Sequence, residues 1–232
     1  MVSWHRTVRT LAAVLAGVIT VGMVSCSGVE GSADDPTGRA GRGTDADAVA
    51  EVFTRHREAV RGGDGATAAA LISDETASYY ALLADLAATA GPERIAELPA
   101  LDRSNVGVFR IASTPEEMGQ RDGRQTYAFA VTEGLLTRSG VGRHDLGEVT
   151  VEGNRAVADA LTEGEPAPFE YEFERVGDAW RINLLPMITM SRSLLARLAE
   201  ERGTSQEKLA LQLIESATGQ AVDESLFARP RG

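Results

Sequence analysis

Cysteine is almost missing from this 232-residue chain, with Cys26 the only one. No intramolecular disulfide can form, so the fold must rest on its apolar core. Lysine is as scarce: Lys208 stands alone while arginine is abundant, a bias that reads as GC-rich coding. Beyond residue 25 there are two histidines, His56 and His144, too few with one thiol to assemble a tetrahedral zinc site. Each histidine is expected to be ordinary and partly exposed. Long hydrophobic runs are missing as well. The longest uncharged apolar stretch, Leu11 to Val24, is about 14 residues, short of the roughly 17 that a spanning helix needs.

Catalytic motifs are equally sparse. Ser205-Gln206-Glu207-Lys208 has the S-x-x-K spacing of penicillin-interacting serine enzymes, but those also need a K-T-G element. The only lysine is followed by Leu209, so that element cannot exist and the segment reads as a helix start. Asp45-Ala46-Asp47 opens like a calcium loop but lacks the later oxygens, and helix capping explains it better. Gly62 to Gly65 is not followed by the G-K-[ST] of a phosphate loop, and no G-x-S-x-G occurs. No metal and no cofactor is expected.

What is present begins at the N-terminus. Arg6 and Arg9 precede the apolar run, and Met23-Val24-Ser25-Cys26 closes it with a small residue before the thiol. Length and flanks fit a processed leader. The pattern resembles a bacterial lipoprotein signal, with Met for the usual Leu and Val for the usual Ala or Ser. The resemblance implies cleavage between Ser25 and Cys26, a diacylglycerol on the Cys26 sulfur, and localisation on the extracytoplasmic face of the cell membrane. At roughly 0.8 kcal/mol per buried methylene, two acyl chains hold a protein stably where one does not. An ordinary secretory cleavage before Ser27 and an uncleaved anchor are the competing outcomes.

Taking off residues 1–25 removes two arginines and leaves 21 basic against 34 acidic side chains, a balance of −13. Such a surface is wrong for nucleic acid, which needs a basic footprint. Residues 26–44 read as a flexible tether, rich in Gly, Ser, Asp and Thr and unable to bury enough surface to order themselves. The rest has the size of one domain and no internal repeat.

From Asp45 the spacing predicts helices. Val49, Val52, Phe53 and Val60 form a stripe behind a capping Asp45 or Asp47, ended by Gly62-Gly63. A short helix after Asp64 carries Ala68, Leu71 and Ile72, and a third from about Asp74 puts Tyr79, Leu82, Leu83 and Leu86 on one face. Thr114-Pro115-Glu116-Glu117 is a helix start by cap, N1 proline and capping glutamate. Residues 122–135 fit both periods, with helix preferred.

Strands follow. Glu148 to Glu152 and Arg155 to Thr162 flank Gly153-Asn154, a two-residue hairpin signal. Aromatics are only 5% of the chain, yet Phe169, Tyr171, Phe173 and Trp180 gather around the turn Gly177-Asp178. That turn sets Phe173 opposite Ile182, Tyr171 opposite Leu184, Glu174 opposite Arg181, Glu172 opposite Asn183, and Arg175 on the Trp180 indole. Two helices close the chain, one carrying Leu194, Leu195 and Leu198, the other starting at Thr204 or Ser205 and ending at Gly219. The tail with Leu226 and Phe227 is expected to pack back.

Three helices with a Gly62-Gly63-Asp64 turn, then hairpins ending in Phe169 to Leu185, resemble the NTF2-like superfamily, which includes ketosteroid isomerase-like proteins. The expected fold class is therefore α+β. The resemblance implies a cone of N-terminal helices on a curved antiparallel sheet over 45–190, with a C-terminal helical extension over 191–232. Fold alone does not choose a function. Tyr171, Tyr79 and Asp159 are the candidate pocket residues, placed where a cone would shift acid or base strength by burial. The expected function is a non-catalytic module binding an envelope protein or a small ligand. An isomerase or dehydratase using a polar pocket is the alternative.

Overall fold

The computed structural model describes residues 44–136 and 144–230. The leader, Ser25, Cys26 and nearly all of the expected tether lie outside the described residues. Thr44 does not belong to the tether. Its side chain accepts from the Asp47 backbone while the Asp47 carboxylate accepts from the Thr44 N–H, so Thr44, rather than Asp45 or Asp47, caps the first helix.

Among the described residues, seven helices precede the strands. They are α1 (Asp45–Gly62), α2 (Gly65–Leu71), α3 (Asp74–Thr89), α4 (Pro92–Ala96), α5 (Ala100–Ala112), α6 (Pro115–Gln120) and α7 (Gly123–Thr132). Their starts follow local chemistry. Asp64, Ser73, Thr114 and Asp122 each accept from a backbone N–H three residues on, and Thr114 and Asp122 complete capping boxes. The ambiguous segment is α7, as the helical reading prefers. The expected face of α3 needs one correction: Leu82 is 49% exposed, and Tyr80 takes the inward position beside Tyr79, Leu83 and Leu86.

Helix α5 buries polar side chains together with apolar ones. Its inward positions include Asp102, Arg103 and Ser104, all buried, interleaved with Val106 and Phe109.

Among the described residues, four antiparallel strands follow in the order β1-β2-β3-β4: β1 (His144–Glu152), β2 (Arg155–Thr162), β3 (Glu165–Val176) and β4 (Ala179–Asn183). The fold class is thus α+β. The last hairpin has the expected register, Glu172 with Asn183, Phe173 with Ile182, Glu174 with Arg181 and Arg175 with Trp180. The Arg175 guanidinium lies 4.6 Å from the indole centroid and pairs with Asp45 of α1. The expected Tyr171–Leu184 pair is not formed. Leu184 has turned to helical angles and leads into the next helix, so β4 stops one residue short. Strand β1 starts four residues before the expected Glu148 and takes a bulge between Leu146 and Val149.

The inner face of the sheet carries Ala156, Ala158 and Ala160 beside Tyr171, Phe173, Trp180 and Ile182, all buried. Three alanines in a row on β2 leave room for the helices to lie close. The β4 edge is not open: Ile72 bridges Ile182 in parallel, and the Ser73 N–H donates to the Ile182 carbonyl at 2.8 Å. Ile72 therefore ends α2 as a strand-like residue rather than continuing the helix.

Helix α8 (Leu185–Glu201) begins directly after β4, and α9 (Gln206–Thr218) follows from its Ser205 cap to the left-handed Gly219. Both lie in the same compact unit as the strands, Gly41–Gly232. A second small core of Ala100, Ala199, Leu209 and Ala210 joins them to α5, and the Gln206 side chain accepts from the Ala100 N–H, which has no cap of its own. The tail ends in a short 3-10 turn (Glu224–Phe227) that buries Phe227. Among the described residues no helix is long and apolar enough to cross a membrane.

Candidate functional site

Tyr171 sits where α1 crosses the sheet. Phe53 meets its ring edge-on at 4.9 Å, and Phe169, two residues earlier on β3, does so at 5.2 Å. One turn beyond Phe53, Arg57 reaches over the Phe53 ring to the Asp145 carboxylate and the His144 carbonyl of β1. His144 stands edge-on to Phe169 at 5.1 Å, and its Nδ1 shares a hydrogen bond with the Thr162 hydroxyl at 2.9 Å. The strand register makes this meeting inevitable, because His144 and Thr162 are direct cross-strand partners.

In this cluster the Tyr171 hydroxyl is buried and has no hydrogen-bond partner among the described residues, and neither does the Arg57 Nε. Burial pushes the phenol up to about 12, with Arg57 pulling it down and Asp145 adding to the rise. At neutral pH the group is a protonated donor beside a cation. It can hold an acceptor oxygen, and it cannot serve as a base.

Tyr79 lies elsewhere, at the junction of α3, α5 and α8. Its hydroxyl donates to Asp102 Oδ1 at 2.8 Å and accepts from Asn105 Nδ2 at 3.3 Å. Arg192 grips the same carboxylate with two N–H groups, Nε to Oδ1 at 3.1 Å and Nη2 to Oδ2 at 2.9 Å. Burial first, then the Asp102 charge, raises the Tyr79 phenol far above its usual value. The Tyr79 hydroxyl and both Asp102 oxygens have structural partners, so Tyr79 is a member of a clamp. Asp159 is exposed on the outer face of the sheet, across from Glu170. It and Tyr171 therefore face opposite sides, because they lie on β2 and β3 with opposite parity. The three candidates do not converge on one pocket.

His56 corrects the expectation of an exposed histidine. It is 1% exposed, stacked on Tyr127 with ring planes 11° apart, and its Nε2 shares a 2.7 Å hydrogen bond with the Tyr127 hydroxyl. Burial lowers its pKa to about 4, so the imidazole is neutral. The signal was in the spacing: His56 continues the Val49, Val52, Phe53 stripe at the next helical step. His144 is half-buried, as expected.

Two of the openings on the surface of the described residues bear on the site. One of about 270 Å³ lies between α3, α5, α6 and the tail, and a notch of about 70 Å³ lies on the outer sheet face beside Glu172 and Asn183. None of Tyr171, Tyr79 or Asp159 lines either one. Among the described residues no three His, Cys, Asp or Glu side chains gather closely enough to hold a metal ion. No protein-family model, curated protein or solved structure matches the chain.

Proposed function

We propose that this chain is a membrane-anchored extracytoplasmic lipoprotein whose folded body is a non-catalytic binding module. The carrying observation is the sequence Met23-Val24-Ser25-Cys26 behind a basic and then apolar leader, followed by a polar stretch that ends where the Thr44 capping box starts the fold. Cys26 is the lipid attachment point and first mature residue; the tether holds the body off the membrane. The helices and antiparallel sheet are a variant of the NTF2-like cone, with α8 and α9 as its extension. Support for a binding role comes from the candidate acids and bases: Tyr79 and Asp102 clamp helices, His56 is sealed in the core, and Asp159 faces out. The acidic balance of the body disfavours nucleic acid as a partner.

Replacing Cys26 by Ala should move the protein from the membrane fraction to the soluble fraction. Crosslinking of intact cells followed by membrane purification should retain an envelope protein with the native chain. A Cys26→Ala protein that stays with membranes rejects the anchor.

A second reading, an isomerase or dehydratase, draws on one observation, the unpartnered Tyr171 hydroxyl beside Arg57. It requires a substrate whose developing oxyanion accepts from that hydroxyl. Turnover of a small ketone or hydroxy compound that disappears in Tyr171→Phe, with the fold intact, would favour it over the binding role.

A further inference from the structure

The larger cleft is lined by apolar Ala87, Met118, Leu226 and Pro230 and by the guanidinium groups of Arg110 and Arg229. The two arginines are in different states. Arg110 has spent all five N–H groups on backbone carbonyls: Nε on Ala87, Nη1 on Leu226 and Ala228, Nη2 on Leu86 and Ala90, at 2.6–3.2 Å. It fastens the tail to the end of α3 and so holds the cleft in shape. Arg229 is exposed and forms no hydrogen bond or ion pair among the described residues; its Nε and Nη2 lie over Gly91, where the Glu93 carboxylate also approaches. No acidic residue lines the opening, in a body that carries a large excess of carboxylates.

A concave, largely apolar site with one oriented polar group is the usual form of a small-molecule pocket. Its volume of about 270 Å³ suits a small ligand. The polar group here is the Arg229 guanidinium, not engaged in an ion pair although Glu93 is nearby, and a guanidinium matches a carboxylate by two parallel hydrogen bonds. We propose that this cleft binds a small carboxylate bearing an apolar group, the carboxylate on Arg229 and the apolar part against Met118 and Leu226. The proposal deepens the binding-module reading and rests on it.

The test is calorimetric titration of the purified full-length protein with hexanoate and, as its uncharged counterpart, hexanamide. Hexanoate should bind at least about tenfold more tightly than hexanamide. Arg229→Gln should remove that preference and leave hexanamide binding as it was. Ala228→Trp, which fills the opening and keeps Arg229, should abolish binding of both. Equal binding of the two probes, no binding of hexanoate, or hexanoate binding unchanged in both variants overturns the site. Crosslinking to an envelope partner is measured separately, so a failed titration with a captured partner rejects the cleft alone, and loss of both rejects the module reading with it.

Discussion

Four arginines end on backbone carbonyls at helix ends: Arg103 on Ile95, Ala96 and Leu98, Arg110 on the end of α3 and the tail, Arg124 on Ala69 and Ile72, and Arg181 on Ala70. The last carbonyls of a helix have no partner within it, and a planar fork with five donors can satisfy several at once. The arginine bias that reads as coding composition is thus used structurally. Arg110→Lys keeps the charge but loses the fork, and chemical denaturation should show a loss of about 2–4 kcal/mol, several hydrogen bonds at roughly 1 kcal/mol each. Tyr171→Phe should go the other way, neutral or stabilising by up to about 1 kcal/mol, since it removes a buried hydroxyl that has no partner. His56 links stability to pH. Its folded pKa of about 4 lies below the unfolded value near 6.5, so the unfolded chain binds the proton first as pH falls. Stability is whole above pH 6.5 and declines down to about pH 4, by up to about 3 kcal/mol. Urea titrations across that range should show the decline in the native chain and its absence in His56→Gln.

At the scale of elements, the last hairpin was legible because turn, alternation and charge pairing all agree on one register, and a slip would have buried glutamates. Helix α5 was less so, since three of its eight buried residues are polar and one of them, Asp102, finds its partners only in Tyr79 and Arg192, distant in sequence. The candidate site was legible only in part: aromatic alternation points to Tyr171, but nothing local tells that Arg57 of α1 comes to rest beside it. Close helix crossing is likewise hidden. A methyl group on Gly123, at the start of α7, would stand 1.8 Å from the Ala77 carbonyl oxygen of α3, and one on Gly65 would stand 2.1 Å from that of Ala128. Backbone cannot yield there as a flexible side chain can. Gly123→Ala should therefore cost about 3 kcal/mol or more, read as a lowered melting temperature, with α7 pushed off α3.

For the molecule as a whole, the C-terminal helices are tied to the body by the Asp102–Arg192 pair, with Asp102 buried and Tyr79 sharing its charge. Removing one partner of such a pair leaves the other uncompensated, a loss of about 3–5 kcal/mol. Asp102→Ala should accordingly loosen α8, and limited proteolysis should cut first within Leu185–Glu201. On the proposed reading, the location of the acidic body follows from Cys26. The mass of the N-terminal peptide of the mature protein, taken from purified membranes, tests this most directly. The account predicts a peptide beginning at Cys26 and carrying a diacylglycerol thioether. A free Cys26 thiol, a peptide beginning at Ser27, or leader residues still attached would contradict it.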